Sequence, residues 1–198
     1  MTAQTSPRST GGDSRFSDEV LIKQIADGNK LAMRALFARH QVKVYRFAMR
    51  IVRDTALAED VVSETFIDAW QHADRFEGRS SASTWLLGIT RHKALTAANR
   101  RPTESLDCDA AQNVADSSAD PEAAYGDKDR GAVIRRCLEK LSAEHAEIID
   151  LVYYQEKSIK EIVEILGIPD NTVKTRMFYA RKRLATLVAA EGIDRAAA

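Results

Sequence analysis

Cysteine is scarce. Only Cys108 and Cys137 occur in 198 residues, with no CxxC and no cysteine–histidine cluster. That scarcity excludes a disulfide-stapled scaffold and a thiolate metal site, and it fits a reduced, cytoplasmic setting. A redox disulfide between the two is the alternative that the count leaves open. No apolar run reaches the roughly eighteen residues a membrane span needs, so no membrane insertion is expected. Residues 1–14 contain no apolar h-region, so no secretory signal is expected either. No charge of one sign prevails: 29 lysines and arginines balance 29 aspartates and glutamates. The whole molecule is therefore no non-specific polyanion binder. HExxH, GxGxxG, the phosphate-binding GKS/T loop and GxSxG are all missing, and the four histidines, His40, His72, His92 and His145, are scattered. No enzyme activity, no cofactor and no metal are expected. Sustained period-two alternation is absent as well, so no strands are predicted.

What is present is helical periodicity, and the chain reads as all-α. Residues 1–16, rich in Ser, Thr, Gly and Gln, form a disordered tail by composition. Ser17 caps a short helix bearing Val20, Leu21, Ile22 and Ile25 that ends near Gly28. A long helix follows, with Leu31, Leu36, Phe37, Val44, Phe47, Ala48 and Ile51 as its buried face. Asp54 and Thr55 begin another helix, to about His72, which turns Val61, Val62, Thr65, Phe66, Ala69 and Trp70 inward. After the loop Arg75 to Ala82, a helix capped by Ser83 or Thr84 carries Trp85, Leu86, Leu87, Ile89 and Leu95, with Trp85 assigned to the core.

Composition then shifts. Residues 102–127 hold seven carboxylates, two prolines and no lysine or arginine. The segment 102–129 reads as a flexible acidic linker between a first domain, 17–101, and a second, 130–190, followed by a frayed tail, 191–198. In the second domain one helix runs to about Lys140 and another from a Ser142 cap to Gln155. Ser158 and Glu161 then form a capping box. Ile159, Ile162, Val163 and Leu166 share one face, Gly167 supplies the positive-φ turn residue, and Pro169 enforces extended backbone. Asp170 and Asn171 lead a final helix whose apolar stripe is Val173, Met177, Ala180, Leu184 and Leu187. Its other surface holds five basic side chains between Thr172 and Leu187, and no acidic one. This is a helix-turn-helix with a cationic second helix suited to a DNA major groove. A solvated helical hairpin is the plain alternative.

Two charge patterns stand out in the first domain. Asp60, Glu64 and Asp68 lie at i, i+4 and i+8, a like-charged row that costs a few tenths of a kcal/mol per pair. From Gly88 to Arg101 the cations Arg91, His92, Lys93, Arg100 and Arg101 occur with no carboxylate. A solvated acidic face is the simpler reading of the first. Together the two suit a domain that binds a cationic protein and a nucleic acid.

The runs Ala58-Glu-Asp-Val-Val-Ser-Glu-Thr-Phe-Ile-Asp-Ala-Trp70, Arg75-Phe-Glu-Gly78 and Ser83-Thr-Trp-Leu-Leu-Gly-Ile89 resemble region 2 of bacterial RNA polymerase sigma factors of the extracytoplasmic function (ECF, group IV) subfamily. The segment Leu141 to Leu187 is similar to region 4 of the same subfamily. The resemblance implies binding to core RNA polymerase, through the β′ clamp and the β flap, and recognition of minus-35 and minus-10 promoter elements. Asp60, Ser63 and Glu64 match the positions that dock on the clamp. Phe76 and the loop residues Arg79, Ser80, Ser81 and Ser83 match the segment that captures a flipped minus-10 base, with Arg91, His92 and Lys93 holding adjacent phosphates or bases. Thr172, Lys174, Thr175, Phe178 and Tyr179 match positions that approach the minus-35 element, and Arg176, Arg181 and Lys182 suit its phosphates. The resemblance also implies an anti-sigma factor partner, which could hold the protein at the inner membrane face. The linker would either enter the cationic channels of polymerase or act as a spacer. A helix-turn-helix activator or repressor that does not replace the sigma subunit is the rival reading.

Overall fold

The computed structural model describes residues 17–100 and 124–191, and from 131 onward it gives side-chain burial for the second segment. The expected terminal tails and most of the expected linker lie outside these residues. Every regular element among them is helical: α1 (Asp18–Ala26), α2 (Lys30–Val52), α3 (Thr55–Gln71), a 3-10 turn at Ala73–Arg75, α4 (Ala82–Arg100), α5 (Ala124–Glu139), α6 (Ala143–Ile149), α7 (Ile159–Leu166) and α8 (Asp170–Ala190).

Short polar side chains start the helices. Ser17 accepts from the Val20 amide at 3.4 Å, Asn29 from Leu31 and Ala32 at 2.9 and 3.2 Å, and Asp54 from Leu57 at 2.9 Å. Each satisfies a first-turn N–H that has no partner within the helix. At α4 the structure corrects the expectation. Ser81, not Ser83 or Thr84, is the cap: its hydroxyl accepts from the Thr84 amide at 3.2 Å, and Trp85 N–H reaches Ser81 C=O at 3.0 Å. Helix α5 starts at Ala124, inside the segment expected to be linker. The expected single helix from Ser142 to Gln155 changes at Asp150 into a π-type turn, Asp150–Tyr154. That wider turn leaves both Asp150 and Gln155 buried.

The first domain packs α2 against α3 and α4, with α1 across them. Leu21, Ile22, Ile25, Leu36, Val44, Phe66 and Leu86 form its main core, and Ala48, Ala58, Val61 and Ala94 make a small-residue seam beside it. Thr65 and Thr90 are fully buried; each donates its hydroxyl to the carbonyl four residues back, at 2.7 Å, so neither leaves a polar atom stranded. Several expected core positions lie further out. Leu31 is 73% exposed, Leu95 is at the surface, Ile51 is half-buried, and Phe37 is partly exposed while stacking edge-on against Phe66 at 4.8 Å.

In the second domain α6, α7 and α8 enclose Ile148, Leu151, Ile162, Ile165, Leu166, Val173 and Ala180. The capping box at Ser158 forms in full, and Gly167, at φ 65°, ends α7 by donating to Val163 C=O at 2.8 Å. The two domains are not independent. Phe47 of α2 and Leu87 of α4 belong to the same continuous apolar cluster as the second-domain core. Helix α4 packs on α7, and α2 packs on α6.

Candidate nucleic-acid interface

Three surfaces carry the expected functional residues. On α3, Asp60, Ser63 and Glu64 are all solvent-exposed, with Ser63 tied down only by donating to Glu59 C=O at 3.1 Å. The third carboxylate of the row does not join them. Asp68 receives Lys93 at 2.8 Å and His72 at 2.8 Å. Partial burial would push its carboxyl up, but those hydrogen bonds outweigh it and hold the group below the ordinary carboxylate range. The acidic face is therefore shorter than the spacing suggests, and Lys93 is bound to α3.

The second surface is the loop before α4 and the exposed side of that helix. Arg75, Phe76, Gly78, Arg79, Ser80 and Trp85 line an open cavity of about 160 Å³. Phe76 and Trp85 lie with ring centroids 5.2 Å apart, tilted by 49°. Trp85 was expected in the core; it is half-buried, packing against that core on one side and forming a wall of this cavity on the other. Its place in the first turn of α4, next to the loop, was the available signal. Arg79 pairs with Glu77 in the same loop. His92 is exposed, and Ser83 is half-buried.

Two of the expected strand-binding residues are engaged by the second domain. Arg91 donates through Nε to Glu147 of α6 at 2.8 Å. The Ser81 hydroxyl donates to Glu161 of α7 at 3.2 Å, and buried Thr84 does so at 2.7 Å. Lys157 adds bonds from Nζ to Thr84 and Glu161 at 3.0 and 3.1 Å. Nearby, Arg50 of α2 meets Asp150 at 3.3 Å, and the Gln155 amide donates to Lys43 C=O at 3.4 Å. Burial raises the carboxyls of Glu147 and Asp150 above the ordinary range, despite their arginine partners. At Glu161 burial is overcome by bonds from Thr84, Ser158 and Lys157, which bring it down to about 2. Sequence reading missed Glu147, Asp150, Lys157 and Glu161 as contact residues.

The third surface is α8. Phe178 and Tyr179 are both more than half exposed and meet edge-on at 5.4 Å. Thr172, Lys174, Thr175, Arg181 and Lys182 are exposed along the same helix. Asn171, Thr172, Thr175 and Arg176 line an open cavity of about 390 Å³ against Glu144 and His145 of α6. Arg176 is less free than expected, since it pairs with Glu144 at 3.0 Å. Lys174 bonds Asp170 at 2.7 Å, and Arg181 lies over the Tyr153 ring at 5.6 Å. Asp170 is thus the first helical residue and a lysine partner; Pro169 occupies the cap position, with no side-chain cap bond. Among the described residues no helix is long and apolar enough to cross a membrane, and no cluster of metal-ligating side chains occurs.

Comparison with known proteins matches both domains. The family description "Sigma-70 region 2" matches residues 36–102, and "Sigma-70, region 4" matches residues 132–184. The ECF RNA polymerase sigma factor SigL of Mycobacterium tuberculosis is 34% identical over 171 residues, covering 82% of this chain and 92% of that protein. The ECF RNA polymerase sigma-E factor of Escherichia coli is 31% identical, with 86% and 93% covered. Among solved structures, CnrH in complex with the cytosolic domain of CnrY is similar at a TM-score of 0.63 and 28% identity, over 87% of this chain and 97% of that one. The sigma factor RpoE of Bartonella quintana, in complex with the anti-sigma factor NepR, is similar at a TM-score of 0.57 and 25% identity, over 80% and 96%. With regions 2 and 4 both matched, and in that order, the chain belongs to the ECF RNA polymerase sigma factors.

Proposed function

We propose that the protein binds core RNA polymerase and directs it to promoters through paired minus-35 and minus-10 contacts, helping to open the DNA there. The observation that carries this reading is one chain holding an exposed carboxylate row on α3 and an exposed basic, aromatic face on α8, each within a sigma-70 region. The first domain, 17–101, docks on the β′ clamp through Asp60, Ser63 and Glu64. Phe76, Arg79, Ser80, Ser81 and Ser83 receive a flipped minus-10 base, with Trp85 as the second aromatic wall. Arg91, His92 and Lys93 hold the adjacent strand. Flipping costs a few kcal/mol, which stacking against two rings offsets.

The second domain, 130–190 with the earlier turns of α5, contacts the β flap and lays α8 in the minus-35 major groove. Thr172, Lys174, Thr175, Phe178 and Tyr179 approach base edges there, and Arg176, Arg181 and Lys182 meet phosphates. Phosphate contacts set register and salt dependence, whereas edge contacts set sequence. Phosphoryl transfer belongs to the polymerase, so the chain needs no catalytic group or cofactor of its own. Its place of work is the cytoplasm, under an anti-sigma factor that holds it at the inner membrane face until release. Solved relatives in complex with NepR and with the cytosolic domain of CnrY support that control.

Run-off transcription with purified core enzyme on a genomic promoter library tests the reading. Defined transcripts should appear only when the protein is added. Exchanging Asp60 and Glu64 for lysine should abolish retention on core polymerase while leaving helicity intact. Unchanged retention would refute the docking assignment.

A further inference from the structure

The most extensive helix contact between the two domains falls on the helix that the proposed function gives to the minus-10 strand. Helix α4 offers two positively polarised sites on that side. One is its N-terminus, where the macrodipole and first-turn hydroxyls favour an anion. The other is the Arg91 guanidinium, within the same helix. Both are filled by carboxylates of the second domain. Glu161 of α7 takes hydrogen bonds from Thr84 at 2.7 Å and Ser81 at 3.2 Å, over the start of α4. Glu147 of α6 takes Arg91 at 2.8 Å.

From this geometry we infer that the second domain is an intramolecular competitor of the promoter strand: Glu147 and Glu161 stand in for two DNA phosphates on α4 and keep the free protein closed. The inference rests on the strand-binding role proposed for α4. Its competitor is single-stranded DNA, because a carboxylate and a backbone phosphate ask for the same charge-assisted donors.

The interface has the makings of a reversible contact. An apolar centre, Phe47 and Leu87 against the α6–α8 core, holds the domains together. Around it lie groups that water would serve better. Asp150 is a buried carboxylate, and Gln155 Oε1 is buried without a hydrogen-bond partner among the described residues. An unmet buried acceptor and a desolvated charge disfavour closure, and opening hydrates them. Asp60, Ser63 and Glu64 stay exposed throughout. The closed protein therefore keeps its polymerase-docking row available while part of its strand-binding face is covered. Free protein is thereby kept off exposed single strands, and DNA engagement is coupled to assembly with polymerase.

The test uses the full chain. Spin labels at Glu59→Cys on α3 and Lys182→Cys on α8, with both native cysteines replaced by serine, report the separation of the domains. The free protein should give one narrow distance distribution, which broadens when a short random-sequence single-stranded oligodeoxynucleotide is added. In parallel, Glu147→Gln/Glu161→Gln is compared with its parent, both carrying Arg181→Ala and Lys182→Ala so that strand affinity reports α4. Glutamine at 161 keeps the capping box, and circular dichroism checks folding. The glutamine pair should bind the same oligonucleotide about tenfold more tightly, because both charge-assisted contacts to α4 are weakened. A broad distance distribution in free protein, or equal strand affinity in a folded glutamine pair, overturns the inference. Should neither protein bind the strand while the distance stays narrow, closure stands, but the competition fails together with the α4 assignment. Run-off transcription separately decides whether the proposed function survives.

Discussion

Helices α4 and α8 are both proposed to meet DNA, yet the fold treats them differently. Along α8 the candidates Thr172, Lys174, Thr175, Phe178, Tyr179, Arg181 and Lys182 are exposed. Along α4, Arg91 and the N-terminal hydroxyls are engaged by carboxylates of α6 and α7. The contrast teaches that possessing a binding residue and presenting it are separate properties. Lys174 and Arg91 carry the same charge, but only the first has a partner one turn away on its own helix. Arg91 is held by a residue 56 positions along the chain.

The contrast can be broken most forcefully at Phe47, which is fully buried in the cluster that spans both domains. Phe47→Ala should cost about 3–5 kcal/mol, read as a lower urea midpoint. It should also split a single unfolding transition into two, as α4 loses its cover. A single transition with unchanged cooperativity would show that the domains are not coupled there. Next in size, Lys174→Ala/Thr175→Ala should weaken minus-35 duplex binding by about 1–3 kcal/mol per lost base contact. Because α8 is open, the loss should appear in the free protein as well as with polymerase. A loss seen only with polymerase would erase the difference between the two helices.

A smaller effect follows from Glu161. Its pKa is lowered from 4.5 to about 2, so its contribution is fully present above 4.5 and disappears as pH falls toward about 2. Melting measured across that window should show about 1 kcal/mol less stability at its acid end, after allowing for the partly solvated site. Glu161→Gln should remove that portion of the pH dependence; an unaltered profile would place the effect elsewhere. Smallest of all, Arg181→Ala should change stability by less than about 0.5 kcal/mol. It should still reduce the salt slope of minus-35 binding by about one. An unchanged slope would take Arg181 off the phosphate path.

Much of this architecture was readable from residues close together in the chain. Ser17, Asp54, Ser142 and Ser158 act within a few residues of themselves, and their helices begin where expected. Gly167 adopts the left-handed conformation its turn demanded. Reading failed where neighbours were chemically equivalent or where distant elements decide. Ser81, Ser83 and Thr84 are all competent caps, and only the path of the loop selects Ser81. Leu31 fits the apolar stripe of α2, but its neighbour Ala32 is the first-turn residue that enters the core, and Leu31 faces solvent. The π-type turn at Asp150 has no local signature, because it serves a carboxylate that meets Arg50 from another domain. Trp85 looked like core because its helix pattern points it inward, and only the neighbouring loop reveals a cavity beside it. The exposed acidic row was legible at Asp60 and Glu64, which face solvent. It was not legible for Asp68, because Lys93 and His72 come to it through folding.

One thiol has a practical consequence. Cys137 lies on α5, unpaired and with no exposed surface. An alkylating reagent can reach it only when α5 lifts away from the helices it covers. With Cys108 replaced by serine, the pace of Cys137 labelling becomes a chemical stopwatch for breathing of the promoter-reading half, running without any added probe.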